Sequence, residues 1–230
     1  MKSYFVTGTD TGVGKTIVTA ALTASIKKMG IDVGVMKPIA TGIERKNDFK
    51  SSDVSILCQA SGVDDPEDLI NPIFMPLPAS PYDVSKILKL TFDKTIIFEK
   101  FEKLKSRHEM LLVEGIGGIM TPILSDYFVA DLIREMGLET IIVTRSTLGT
   151  LNHTMLTVKA CHEYQIPIKG IVVNNYDENG SPAEKNSPST IYEITHIPIL
   201  GVLPFVKDYQ NTTMMISHVE KNVDLKSLIS

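Results

Sequence analysis

The residues Gly8-Thr9-Asp10-Thr11-Gly12-Val13-Gly14-Lys15-Thr16 directly follow the apolar run Tyr4-Phe5-Val6. Glycines let successive backbone N–H groups converge on an anion. The start of a following helix adds partial positive charge, and Lys15 supplies a mobile ammonium. This is the chemistry of a phosphate-binding loop between a strand and a helix. Gly12, Val13, Gly14, Lys15 and Thr16 would cradle phosphates, and the Thr16 hydroxyl stands where such loops ligate Mg²⁺. Strict spacing asks for glycine at position 9, whereas this chain has Thr9 with Gly8 one residue earlier. A loop longer at its entrance is expected.

Other chemistry-bearing residues fall at the ends of apolar runs, where open parallel sheets place their ligands. Lys37 closes Val35-Met36-Lys37, and Pro38 stiffens the turn that follows, so the ammonium is directed either at the phosphate loop or at solvent. Thr41 and Gly42 continue that loop. Glu114 follows Met110-Leu111-Leu112-Val113 and precedes Gly115-Ile116-Gly117-Gly118. A strand-end carboxylate beside a phosphate loop suits Mg²⁺, and the glycines permit close backbone approach. Asp53, in Ser51-Ser52-Asp53, reads by itself as a helix cap. Asn174 ends Val172-Val173-Asn174 and either starts a turn or presents an amide able to read a purine edge.

The rest of the composition narrows the classes. A net charge of −4 gives no chain-wide attraction to nucleic acid or anionic membrane, so positive charge at the phosphate site must be local. Cys58 and Cys161 each stand alone in apolar company and read as buried free thiols. The five histidines show no metal spacing, and no Ser/His/Asp arrangement stands out. No secretory leader or run approaching the ~20 apolar residues of a membrane span is visible, so a cytoplasmic enzyme is expected.

These side chains need a scaffold. Short apolar runs alternate with segments of helical period over 230 residues, the pattern of βαβ units in one α/β domain, residues 1–230, with a mainly parallel sheet and helices on both faces. Strands are expected at Tyr4 to Thr7, Val33 to Lys37, Met110 to Val113, Thr140 to Thr144, Ile168 to Asn174 and Ile199 to Val202. Helices are expected at Lys15 to Met29, Ser52 to Ala60, Ile96 to Lys105, Val129 to Met136, Leu151 to Tyr164 and Ser189 to Thr195. Gly30 stands where a C-terminal glycine cap belongs. Asn71 to Pro81, with four prolines, reads as a structured loop without regular elements, and polar Tyr176 to Ser189 as a mobile one.

The ordered set of motifs resembles the dethiobiotin synthetase family. It comprises Tyr4 to Thr11 with Val13-Gly14-Lys15-Thr16, Lys37-Pro38 with Thr41-Gly42, Ser52-Asp53, Val113-Glu114-Gly115 with Gly117-Gly118, Thr121-Pro122, Leu148-Gly149 with Asn152-His153, and Leu200-Gly201 with Pro204. The likeness runs from residue 4 to about 205. It departs at Thr41, where the family has serine, over residues 175–189, and in the tail after Pro204.

That resemblance implies a P-loop NTPase-type fold and an ATP-dependent ligase of biotin synthesis that joins CO₂ (or bicarbonate) to 7,8-diaminopelargonate through a carbamate and a carbamic–phosphoric anhydride. It implies Thr11, Lys15 and Lys37 as catalytic groups, Thr11, Lys37 and Thr41 around the carbamate, and Thr16, Asp53 and Glu114 around Mg²⁺. It also puts Asn174 at the nucleobase. Gly117 and the segment Leu148, Gly149 to Asn152 would receive the substrate tail, the latter from a second subunit of a homodimer. No nucleic acid or membrane is implied. The rival class is a ParA/MinD-like nucleotide switch, whose signature lysine would fall at position 10; this chain has Asp10.

Overall fold

The computed structural model describes residues 3–45, 49–205 and 212–229. In chain order its elements begin with β1 (Tyr4–Gly8), α1 (Lys15–Lys28), β2 (Val33–Met36), β3 (Ile39–Thr41), α2 (Ser52–Ser61), α3 (Glu67–Ile70) and β4 (Ile73–Met75). There follow α4 (Pro81–Leu88), α5 (Thr95–Lys105), β5 (Met110–Glu114), β6 (Pro122–Leu124), β7 (Tyr127–Phe128), α6 (Val129–Met136) and β8 (Glu139–Arg145). The chain continues through α7 (Thr150–Glu163), β9 (Ile168–Tyr176), α8 (Pro182–Thr195), β10 (Ile199–Pro204), α9 (Thr212–Asn222) and α10 (Leu225–Ile229).

Six strands form one parallel sheet in the order β10-β9-β8-β1-β5-β2. Side chains of a strand alternate between faces, and β1 shows the consequence. Tyr4 and Val6 join a core with Leu22 and Ile26 of α1, Leu57 of α2, Val219 of α9 and Leu228 of α10. Phe5 joins the opposite core with Phe101 of α5, Ile133 of α6, Val158 of α7 and Ile191 of α8. The sheet is therefore covered on both faces, which explains why its strands read as continuous apolar runs. The α/β expectation holds. Among the described residues, no helix is long and apolar enough to cross a membrane.

Chain order reverses around β1, because β2 and β5 lie to one side of it and β8 and β9 to the other. Its C-terminal end opens into the crevice that such a reversal creates. The N–H of Gly30 reaches the Lys27 carbonyl at 2.9 Å with φ +89°, the predicted glycine ending of α1. Cys58 and Cys161 are both buried and form no disulfide, as read from sequence.

Two stretches differ from expectation. The proline-dense segment holds β4, which pairs in parallel with β3 through Ile39↔Ile73 and Thr41↔Met75, and its last proline opens α4. Pro81 is tolerated there because the first turn needs no N–H from it, and the Ser80 hydroxyl accepts the Asp83 N–H. The segment read as mobile is helical from Pro182: Ser181 and Glu184 form a capping box, each side chain bonding the other's backbone N–H. The signal S-P-A-E was present but was outweighed by the polar composition. Pro204 lies within β10, an edge strand, where a missing N–H costs no ladder bond.

Candidate functional site

Gly14 ends the phosphate loop as the N-cap of α1 with φ +96°, a conformation open to glycine and strained for other residues. A Cβ there would stand 2.1 Å from Asn174 Nδ2. That amide donates to the Val13 carbonyl at 2.9 Å, so Asn174 braces the loop besides facing the neighbouring cleft. Thr9 owes its place to two bonds, its N–H to the Val143 carbonyl at 3.0 Å and its hydroxyl to that of Thr144 at 3.2 Å. A side chain anchored to the adjacent strand replaces the glycine of the strict pattern.

Two strand ends and the start of a helix converge on this loop. Lys37, just beyond β2 rather than within it, turns a buried ammonium to Glu114 Oε1 at 2.5 Å, Asp53 Oδ2 at 3.0 Å and the Gly115 carbonyl at 3.0 Å. Thr16 donates its hydroxyl to the same Glu114 oxygen at 2.8 Å, and Lys15 Nζ rests on the Asp10 carbonyl at 3.1 Å. Asp53 makes no helix cap: Ser51 is the cap residue of α2, and the Asp53 carboxylate in the first turn reaches Lys37.

The charges perturb one another. Burial and then the Lys37 ammonium bring Lys15 down to about 8. Burial also opposes charge on Lys37, but the Glu114 and Asp53 carboxylates outweigh it and raise its pKa. Lys37 holds Asp53 below the usual carboxylate range, whereas burial pushes Glu114 up against the pull of Lys37. Paired ions of opposite sign in a desolvated crevice mark a functional site.

One cavity of about 440 Å³ gathers Thr11, Gly12, Gly14, Lys15, Thr16, Lys37, Thr41, Asp53, Glu114 and Gly117. Sequence separation within this group exceeds a hundred residues, yet each of these is a residue the sequence singles out; Ile17 and Ile56, which also line the cavity, are not. Thr11, Thr41, Ile116 and Gly117 also border a second chamber closed by Pro78, Ala79, Ser80, Thr121 and Pro122. The sequence reading missed Pro78 to Ser80; their proline density was the available signal, since a stiff segment can form a wall. Val13 is buried behind the loop.

A third, largely apolar cleft on the other side of the loop is lined by Gly12, Gly14, Ile17, Asn174, Leu203, Pro204, Phe205, His218 and Val219. The sequence points to Gly12, Gly14 and Asn174 at this cleft, but not to its apolar wall. Leu148, Gly149 and Asn152 do not reach the phosphate cavity of their own chain. They lie where β8 turns into α7, with Leu148 89% exposed and Gly149 the αL N-cap of α7.

Among the described residues no cluster of three or more His, Cys, Asp or Glu is arranged to hold a metal. Two carboxylates and a hydroxyl do meet at Thr16, Asp53 and Glu114, and Glu114 Oε2 is buried without a hydrogen-bond partner. A hard, all-oxygen donor set of this size suits Mg²⁺, which keeps its remaining sites for phosphate and water.

Fold and loop define a nucleotide-handling P-loop protein. Its solved structural neighbours include a ParA family ATPase from Chlorobium tepidum, with TM-score 0.56 and 20% identity over 96% of this chain and 92% of that one. The MinC:MinD cell division protein complex of Aquifex aeolicus matches at TM-score 0.57 and 13% identity over 95% and 88%. Likeness at that identity is likeness of fold. A family profile described as an AAA domain matches residues 2–213. A Nitrosopumilus maritimus protein named ATP-dependent dethiobiotin synthetase BioD is 52% identical over the full length of both chains. One of the same name from Thermodesulfovibrio yellowstonii is 42% identical over 99% of this chain and 98% of its own, and one from Bacillus velezensis 37% identical over 100% and 97%. The chain belongs to the dethiobiotin synthetase family, an enzyme family.

Proposed function

We propose that this protein uses ATP to carboxylate 7,8-diaminopelargonate and close the ureido ring of dethiobiotin. The observation that carries the reading is the convergence of Lys15, Lys37, Thr16, Asp53 and Glu114 in one cavity that opens into a second chamber. An amine of the diamine takes up CO₂ as a carbamate, and a carbamate oxygen attacks the γ-phosphorus of ATP as ADP leaves. The second amine then attacks the carbonyl carbon of the mixed anhydride, expelling phosphate and closing the five-membered ring. No protein nucleophile is required.

The demand on the protein is to bring two anions together in line. Lys15 reaches the phosphates from the loop, and Lys37 neutralises the carbamate and the transferring phosphoryl group, aided by the hydroxyls of Thr11 and Thr41. Mg²⁺ held by Thr16, Asp53 and Glu114 would supply further charge neutralisation. The second chamber, with Gly117 at its edge, takes the chain of the diamine, and the cleft beside Asn174 takes the base.

The reading includes a single domain in the cytoplasm acting as a homodimer. In it, Leu148, Gly149 and Asn152 serve the partner's site, which fits the exposure of Leu148, just before α7, and of Leu156 within it. Incubation with ATP, Mg²⁺, bicarbonate and diaminopelargonate should yield dethiobiotin by mass, with one ADP per product. ATP hydrolysis without that product would instead favour a nucleotide switch of the ParA/MinD class, which shares the fold.

A further inference from the structure

Thr144 and Arg145, consecutive at the end of β8, grip the phosphate loop at two points. Thr144 is fully buried, and its hydroxyl meets those of Thr9 at 3.2 Å, Thr150 at 2.8 Å and Thr154 at 3.0 Å. A hydroxyl gives one hydrogen bond and accepts two, so all its capacity is used. The order of protons is also determined. Thr150 Oγ1 donates its only hydrogen to the Arg145 carbonyl at 2.5 Å. It must therefore accept from Thr144, which leaves Thr144 to accept from both Thr9 and Thr154. Three residues beyond Thr9, the carbonyl of Gly12 accepts from Arg145 Nη2 at 2.5 Å.

We propose that Thr144 and Arg145 are positioning residues for phosphoryl transfer, acting through Thr9 and Gly12 to hold the segment between them in its reactive shape. That segment carries Thr11 and the Asp10 carbonyl on which the Lys15 ammonium rests. A loop freed at either end would let these groups drift, and displacements of an ångström at a reacting centre cost rate steeply. The inference rests on the ATP-dependent reaction proposed above.

The test compares Thr144→Val, Thr144→Ser, Thr9→Val, the Thr9→Val/Thr144→Val pair and Arg145→Met, by dethiobiotin formation and by affinity for a fluorescent ADP. Thr144→Val keeps shape and removes the hydroxyl. It should lower kcat about tenfold and weaken ADP about threefold, while Thr144→Ser stays within about twofold of the unaltered protein. The double variant should be no slower than Thr144→Val alone, because both changes cut one connection. Arg145→Met should lower kcat by a similar factor. Unaltered kcat in Thr144→Val, a Thr144→Ser as slow as Thr144→Val, or multiplicative losses in the double variant would overturn the role of Thr144. Unaltered kcat in Arg145→Met would remove that of Arg145. If the unaltered protein binds ADP but makes no dethiobiotin, the proposed reaction is what fails, and the grip is then decided by ADP affinity alone: equal binding by all variants overturns it.

Discussion

Lys37 Nζ lies 2.5 Å from Glu114 Oε1 in a pair whose side chains are 3% and 0% exposed. A buried pair of this kind makes a protein depend on both partners, because removing one leaves an uncompensated charge in a low dielectric. Lys37 therefore has a structural role beside the chemical one proposed for it.

Lys37→Ala should lower kcat by about 10³-fold or more, through loss of transition-state charge neutralisation. It should also destabilise the fold by about 3–5 kcal/mol, reduced to the extent that buried Glu114 takes up a proton. The uncharged pair Lys37→Met/Glu114→Gln should regain most of that stability and none of the activity. Thermal unfolding together with product formation separates the two effects; a double variant as unstable as Lys37→Ala would refute the coupling.

Gly14→Ala should strain a backbone at φ +96° and drive a methyl into Asn174 Nδ2. A strained αL residue costs on the order of 1–3 kcal/mol. Lower thermal stability and at least about tenfold weaker ADP binding are expected, measured by calorimetry; binding equal to that of the unaltered protein would show that Asn174 yields without disturbing the loop.

Lys15, with a pKa of about 8 set by burial and then by Lys37, gives opposite pH trends to stability and to binding. Its folded value lies below the roughly 10.4 of an unfolded lysine, so its charged form costs stability, and this contribution improves as pH rises from about 8 to about 10.4. Anion affinity needs the charged form. ADP affinity measured without Mg²⁺ should fall as pH rises through about 8, and Lys15→Met should be weak with no such inflection. A flat profile in the unaltered protein would contradict the lowered value.

Cys161 is pushed up to about 12 by burial, and Cys58 is buried too. At about pH 8 roughly one Cys161 side chain in ten thousand is thiolate. A chromogenic disulfide reagent should find neither thiol in the native protein and both in denaturant. Rapid labelling of the native chain would count against this packing.

Leu148→Asp should break the proposed dimer. An apolar anchor at the centre of an interface contributes about 2 kcal/mol or more, so dissociation should strengthen at least about 30-fold. Sedimentation equilibrium would detect it; an unaltered association constant would move the interface elsewhere.

Periodicity and spacing were enough to find every strand of the six-stranded sheet and the phosphate loop, because a fully covered parallel sheet writes continuous apolar runs and a phosphate cradle needs its glycines and lysine in one local segment. Val129 to Met136 even matches α6 at both ends, where Gly137 supplies an αL stop. Local signals also sufficed to nominate Lys37 and Glu114 at strand ends, whereas Asp53 is nominated by the family resemblance. They could not say what each nominee does. Asp53 by itself reads as a cap, yet α2 aims it at Lys37; Asn174 reads as a turn residue or a purine reader, yet its amide also supports Val13.

Partnerships across distant segments were decided by tertiary structure alone. The bond from Thr9 to Thr144 explains the missing glycine, Pro78 to Ser80 become a wall only once β4 pairs with β3, and β10 with α9 builds the apolar cleft beside Asn174. The reason is that a chain encodes local preference every few residues, whereas which residues share a cavity follows from strand order, and strand order is settled by burying both sheet faces at once.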